Sequence, residues 1–112
     1  MKLWVDDVRP APVLYQWCRS VNEAKKTIMW CESMHRFWNE NYPHDKNPYY
    51  IEVIDIDHDA GAFAFDGGDY IKLLDWLEET GLRYPIRIHS MNPVGVENMR
   101  RIIKRNGWEE RR

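Results

Sequence analysis

Acidic and histidine side chains are concentrated in three short segments, and each segment follows an apolar, β-branched run. The segments are residues 6–7 (DD), 55–59 (DIDHD) and 89–92 (HSMN). Ligands of open parallel α/β sheets bind outside the carboxyl ends of the strands. If the three runs are neighbouring strands, at least four carboxylates and two imidazoles meet at one edge of the sheet. Clustered like charges need compensation, and a divalent cation held by oxygen ligands supplies it.

The carboxylates are the predicted metal ligands. Asp6 and Asp7 end the first run, and a helix cap explains them poorly because Pro10 follows soon after and no helix does. Asp57 lies at the end of the second run, and Asp59 lies in the loop behind it. An Asx turn would account for Asp59 alone but not for the whole cluster. We predict that all four carboxylates bind one Mg²⁺ or Mn²⁺ ion.

The remaining polar groups suit proton transfer and phosphate binding. His58 and His89 are predicted as general base and general acid, in an order that the sequence leaves open. Ser90 and the helix start at Asn92 are predicted to donate hydrogen bonds to phosphate oxygens. Asp57 is a further catalytic candidate, because its carboxylate could attack phosphorus and form an acyl phosphate.

Alternating strand and helix segments must position these groups, and they predict a mostly parallel sheet. Strands are expected at residues 2–6, 15–19, 49–56 and 85–89, with 108–112 either a short strand or a docked tail. Helices are expected from a capping box at Ser20 and Glu23 to about residue 39, from Asp69 to Gly81, and from Asn92-Pro93 to Gly107. Only about eight residues separate the first two strands, which is short for a parallel crossover. We nevertheless expect a parallel pair joined by an irregular connection.

Length and composition limit the other possibilities. The 112 residues are predicted to form one domain, residues 1–112, and the net charge of −2 gives no general attraction to nucleic acid or an anionic membrane. Six cations in residues 100–112 form either a solvated helix face with a frayed tail or a site for a phosphate-rich partner. Cys18 and Cys31 lack CxxC spacing, so buried reduced thiols are expected. With no signal peptide or long apolar run, we expect a cytoplasmic protein without a membrane partner; the oligomeric state stays open.

Four blocks, in order along the chain, resemble one known family. They are residues 3–12 (LWVDDVRPAP), Ser20 with Glu23 and Ala24, residues 56–59 (IDHD), and residues 89–95 (HSMNPVG) with Asn98 and Met99. Together they are similar to the cyclic-phosphate processing receiver domains, which belong with the response-regulator receivers. The resemblance extends over roughly residues 2 to 103.

The resemblance implies a flavodoxin-like, receiver-like three-layer sandwich with four or five strands in the order 2-1-3-4-5. It also implies that the first crossover helix is shortened or absent. Asp6 and Asp7 match the acidic metal pair, Asp57 matches the phosphoacceptor position, and Ser90 matches the switch hydroxyl. The residues that match positions peculiar to the subfamily are His58, Asp59, His89 and Asn92.

The implied activity is metal-dependent, phosphodiesterase-type processing of a cyclic phosphate on a nucleotide or an RNA end. Two alternatives remain. In one, Asp57 accepts a phosphate in signalling, although receivers carry a Lys at the end of the fifth strand and none is found here. In the other, the acidic face binds a metal or phosphate without turnover.

Overall fold

Five parallel strands form a single sheet in the order β2-β1-β3-β4-β5 in the computed structural model, which describes all residues 1–112. The strands are β1 (Lys2–Val5), β2 (Tyr15–Cys18), β3 (Val53–Ile56), β4 (Ile86–Ile88) and β5 (Glu110–Arg111). The helices are α1 (Val21–Asn41), α2 (Ile71–Thr80) and α3 (Pro93–Asn106), with a 3₁₀ turn at Gly61–Phe63. The predicted strand order and flavodoxin-like fold class are confirmed, and residues 110–111 are a strand.

One face of the sheet is apolar and carries all three helices. The connections β2–β3, β3–β4 and β4–β5 cross the sheet in the same direction, so right-handed crossovers place their helices on one side. The sheet residues in this core are Leu3, Val5, Cys18, Ile54, Ile56 and Ile86, and they pack with Val21, Ala24, Ile28 and Cys31 of α1, Leu73, Leu74 and Leu77 of α2, and Met99, Ile102 and Ile103 of α3. The hydrophobic core therefore covers one face of the sheet, and the opposite face can carry polar groups.

The connection between β1 and β2 contains no helix, and the two strands pair in parallel as predicted. Because it crosses the sheet in the opposite direction, it lies over the face that the helices leave uncovered. The third layer of the sandwich is therefore a loop in this protein. Two indoles brace that loop, since Trp4 donates from Nε1 to the Arg9 carbonyl at 2.9 Å and Trp17 donates from Nε1 to the Asp6 carbonyl at 2.8 Å.

The sequence signals for helix starts succeed at two helices and fail at the third. The Ser20 hydroxyl caps α1, and the Asn92 side chain caps α3 ahead of Pro93. The predicted Asp69 cap of α2 is wrong: Tyr70 occupies the cap position without a side-chain bond, and the Asp69 carboxylate accepts the Ala60 amide at 3.0 Å instead. No helix of the chain has both the length and the apolar character needed to cross a membrane.

Strand β3 is shorter than predicted. It begins at Val53, whereas the apolar pattern predicted a start at residue 49. The side chain of Asn47 accepts the Tyr49 amide at 2.9 Å, which holds residues 47–49 in a turn before the strand. A local side-chain hydrogen bond here outweighs the β propensity of the apolar run.

Cys18 and Cys31 are free and buried, as expected. Burial raises the pKa of the Cys18 thiol from 9.0 to about 11, with further contributions from Glu23 and Cys31. Above pH 9 the unfolded chain ionises this thiol while the folded chain does not, so the unfolded state binds fewer protons. The free energy of unfolding should therefore fall between pH 9 and pH 11, by at most about 1.4 kcal/mol per pH unit from this group. Urea unfolding of the parent and of Cys18→Val across this range measures this decrease. It should be smaller in the variant but not absent, because Cys31, Tyr70 and Tyr84 also have raised pKa values.

Candidate metal and acid-base site

Three side chains from three adjacent strand ends meet on the polar face of the sheet. The register pairs Trp4 of β1 with Asp55 of β3, and two residues further on it brings Asp6 beside Asp57. His89 directly follows β4, and its amide donates to the Ile56 carbonyl of β3 at 3.0 Å. One ligand atom from each of Asp6, Asp57 and His89 lies within 4.8 Å of the others. The strand ends therefore form a compact group of two carboxylates and one imidazole, which we call the acidic centre.

His89 is held rigidly at the centre of this group. Its Nδ1 lies 2.7 Å from Oδ1 of Asp55, and its Nε2 lies 2.8 Å from Oδ2 of Asp6. The ring stacks on Trp4 with centroids 3.9 Å apart and an interplanar angle of 3°. Arg87 donates from Nη1 to the other oxygen of Asp55 at 3.0 Å. Each ring nitrogen therefore lies within hydrogen-bond distance of a fully buried carboxylate, and Trp4 covers one face of the ring, so the orientation of the imidazole is fixed.

Asp6 connects the centre to the β1–β2 loop. Its Oδ1 accepts the amides of Val8 at 3.0 Å and Arg9 at 2.9 Å, while Oδ2 faces His89. Burial acts to raise the pKa of Asp6, but the hydrogen bonds from Arg9, His89 and Val8 together outweigh it and lower the pKa below its ordinary value. The side chain therefore both fixes the loop and presents an ionised oxygen to the centre.

His58 and Asp59 form a second pair, in the loop directly after Asp57. Nδ1 of His58 lies 2.8 Å from Oδ1 of Asp59, and the side-chain nitrogen Nδ2 of Asn92 lies 3.4 Å from the same oxygen. The His58 amide donates to Oδ1 of Asp57 at 2.7 Å, which joins the pair to the first group. Because an ionised carboxylate only accepts, Nδ1 carries the hydrogen of this bond, and Nε2 of His58 has no hydrogen-bond partner.

The start of α3 packs against the His58 ring. Oδ1 of Asn92 accepts the Gly95 amide at 3.0 Å, and Oγ of Ser90 accepts the Asn92 amide at 3.1 Å. A methyl group at Gly95 would lie 2.6 Å from Cδ2 and 2.8 Å from Nδ1 of His58, and closer still to Cγ. The absence of a side chain at Gly95 therefore sets the position of the His58 ring.

Asp7 lies next to the centre but outside its group of ligand atoms. Its carbonyl accepts Nε of Arg19 at 3.1 Å and Nη2 at 2.8 Å, and its carboxylate occupies the space that a side chain at Gly61 would need. Burial raises the pKa of Tyr70, and Asp7 adds the largest of the nearby charges that raise it further. The Tyr70 hydroxyl donates to the Arg19 carbonyl at 2.7 Å, so it braces the loops around the carboxylates.

A family model for the cyclic-phosphate processing receiver domain matches residues 1–105. This chain belongs to that family. No curated protein and no solved structure gives a significant match to this receiver domain. The matched residues include every strand end described above and nearly all of α3. The resemblance stated from the sequence is thereby confirmed.

The site residues predicted from the sequence lie in separate groups in this receiver domain. Asp6, Asp57 and His89 share the centre; His58, Asp59 and Asn92 form the adjoining cluster; Asp7 lies beside the centre, and Ser90 lines a groove along α3. Sequence reasoning assigned no role to Asp55 and Trp4, which hold the His89 ring. The two-residue period of β3 put Asp55 on the same side as Asp57, but only the pairing with β4 shows what it binds.

The buried network around His89 should dominate the stability of this edge of the sheet. Asp55 is fully buried and accepts from both His89 and Arg87. Asp55→Ala removes the acceptor that Nη1 of Arg87 and Nδ1 of His89 share, and breaking a buried charged network by removing one partner costs about 3–5 kcal/mol. Urea denaturation should show a loss of this size, and Asp75→Ala on α2, which removes a carboxylate outside the network, should cost less than about 1 kcal/mol. A loss below about 1 kcal/mol in Asp55→Ala would contradict the network's role.

Proposed function

We propose that this protein is a metal-dependent phosphoesterase that opens a cyclic phosphodiester of a nucleotide or an RNA end. The observation that carries the proposal is the group of Asp6, Asp57 and His89, whose ligand atoms lie within 4.8 Å of one another at three strand ends. In an open α/β sheet this is the edge where ligands bind. The family name gives the same chemical class of substrate.

The donor set fits a single divalent cation. Two carboxylates suit Mg²⁺ and Mn²⁺, and an imidazole shifts the preference away from Mg²⁺ toward transition metals such as Mn²⁺. Asp6 and Asp57 would hold the ion, and Nε2 of His89 would be a third ligand while its Nδ1 keeps the hydrogen bond to Asp55. When bound, the cation polarises phosphoryl oxygens and lowers the pKa of a coordinated water.

His58 is the better placed of the two histidines to act as general base. Its Nδ1 is bound to Asp59, which orients the ring and leaves Nε2 free to take a proton. The side chain of His58 is 15% exposed and that of His89 is 8% exposed, with both nitrogens of His89 already bonded. We therefore assign proton transfer to His58 and positioning to His89.

Phosphate binding at the start of α3 rests on few groups. Pro93 has no amide hydrogen, and the Gly95 and Val96 amides are bound to the side chain and the carbonyl of Asn92, so in this first turn only the Val94 amide is without a partner. The Ser90 hydroxyl can still donate, because its oxygen is used only as an acceptor. Ser90 and the Val94 amide are therefore the proposed phosphate donors, and Asn92 contributes through the cap and through Asp59.

Turnover of cyclic phosphodiesters tests the proposal. Purified protein with Mn²⁺ or Mg²⁺ is incubated with nucleoside 2′,3′-cyclic and 3′,5′-cyclic monophosphates, and ³¹P NMR follows conversion to the monoester. We expect conversion of at least one class, faster with Mn²⁺ and abolished by EDTA. Intact substrates under all conditions would refute the proposal.

His58→Gln separates proton transfer from metal binding. General base catalysis contributes about 10²–10⁴-fold, so kcat should fall by about 100-fold or more. The increase in Tm on adding Mn²⁺ should stay as in the parent, because His58 is not in the ligand group. An equal loss of kcat in the matched surface variant His44→Gln, or an unchanged kcat in His58→Gln, would contradict the assignment.

Phosphoacceptor signalling is the competing function, because Asp57 stands at the phosphoacceptor position. The structure has Glu110 and Arg111 in β5 and no lysine there. Incubation with a small phosphodonor and Mg²⁺, followed by intact mass measurement, should therefore show no added phosphate. A mass increase of one phosphate that is lost in Asp57→Asn would favour signalling.

A further inference from the structure

We propose that the groove along α3 binds the phosphate backbone of a single-stranded oligonucleotide whose cyclic end lies at the acidic centre. This inference rests on the proposed function and names its substrate class. The groove is the largest cavity of the molecule, about 700 Å³, and it does not lie over the centre. Its polar lining residues are Ser90, Glu97, Arg100, Arg101 and Lys104.

The charge of the groove is opposite to that of the centre. Arg100, Arg101 and Lys104 provide three cations against the single carboxylate of Glu97. Arg100 pairs with Glu110 and Arg101 pairs with Glu97, each at 2.9 Å, while Lys104 makes no ion pair. Such partly exposed pairs are weak, so their guanidinium groups remain able to bind phosphate. A protein with net charge −2 thus presents one cationic strip beside its acidic site.

The strip and the centre are continuous through Ser90. This residue directly follows His89 after the end of β4, and it also lines the groove. From there Val96, Arg100 and Lys104 follow at four-residue spacing along one side of α3. At 1.5 Å per residue, the helix from Pro93 to Lys104 extends for roughly 16 Å, which is long for a mononucleotide and suits a chain of phosphates.

The lining contains methionine, proline and valine but no aromatic side chain. Proteins that read or stack unpaired bases use aromatic platforms. Cations without such platforms contact the backbone and carry no sequence information. The groove should therefore hold single strands of any sequence, and the acidic centre supplies the specificity for the cyclic end.

Salt-dependent binding tests the groove. Fluorescence anisotropy is measured with a labelled ten-residue oligoribonucleotide that ends in a 2′,3′-cyclic phosphate, in EDTA so that no turnover occurs. Three cations predict a slope of log K against log salt concentration of about −2 for a single strand. Lys104→Gln should bring the slope to about −1.4 and weaken binding about five-fold at 0.1 M salt. Arg36→Gln, which removes an exposed α1 cation outside the groove, should change neither value.

The outcomes separate this inference from the proposed function. The proposal that the groove binds an oligonucleotide would be contradicted by the absence of binding, by equal effects of the two variants, or by equally good competition from poly-glutamate. If cyclic mononucleotides stay intact while oligonucleotide binding depends on Lys104, the proposed function is wrong and the binding role of the groove is supported. If both hold, Lys104→Gln raises KM for the oligonucleotide several-fold and leaves turnover of a cyclic mononucleotide unchanged.

Discussion

Asp57→Asn should lower cyclic-phosphate turnover by at least about 100-fold while leaving the protein folded. Even residues that only support a metal ligand typically change affinity or activity about 10–100-fold, so loss of a ligand should cost more. The amide has nearly the shape of the carboxylate, and its neutrality removes repulsion from Asp6, which lies in the same ligand group. Without metal, the Tm of the variant should equal or exceed that of the parent.

Metal-dependent thermal stability gives this prediction a readout that is independent of activity. A ligand at 100 times its Kd adds about 2.7 kcal/mol to the free energy of unfolding. Mn²⁺ should therefore raise the Tm of the parent by several degrees and that of Asp57→Asn hardly at all. Asp45→Asn, in the exposed loop after α1, is the matched control and should behave as the parent. A full Mn²⁺ shift in Asp57→Asn would remove this residue from the metal site.

Gly95→Ala should destabilise the protein by about 1–3 kcal/mol, although alanine is the better helix former. At an unobstructed helix position the change would add about 0.5–1 kcal/mol of stability. Here the new methyl group meets the base of the His58 ring, with Cδ2 at 2.6 Å. The ring atoms next to Cβ cannot rotate away as a flexible chain end would. Overpacking therefore outweighs the gain in helix propensity, and the free energy of unfolding falls. Turnover should fall with stability because the ring loses its position beside Asp59.

A double-mutant cycle identifies the cause. His58→Ala removes the ring, and Gly95→Ala in that background should be neutral or stabilising by urea denaturation. The coupling energy between the two sites should then be about 1–3 kcal/mol. Gly81→Ala is unsuitable as a control because its φ is +76°, so an exposed helix position such as Ser33→Ala serves instead. If Gly95→Ala still causes a large loss of stability in the His58→Ala background, the clash is not with the His58 ring.

Local signals account for most of the fold. The alternation of strands and helices, the Ser20 and Asn92 caps and the short first crossover were all readable along the chain, because each depends on residues within a few positions of one another. The two errors have the opposite origin. Asp69 could cap α2 or bind the Ala60 amide, and that choice depends on the path of the whole loop between them. Tyr49 is held by Asn47 although its neighbours favour a strand.

The site divides in the same way between sequence and structure. The position of each acidic or histidine residue at a strand end follows from the chain alone, since it requires only the apolar run before it. What those side chains bind does not, because the partners are distant: His89 meets Asp55 across 34 residues and Asp6 across 83. Sheet register and side-chain direction decide such contacts, and a one-residue slip would turn each side chain to the other face. Tertiary structure therefore decided that His89 is enclosed, that His58 keeps a free nitrogen, and that the basic residues of α3 line a groove beginning at Ser90.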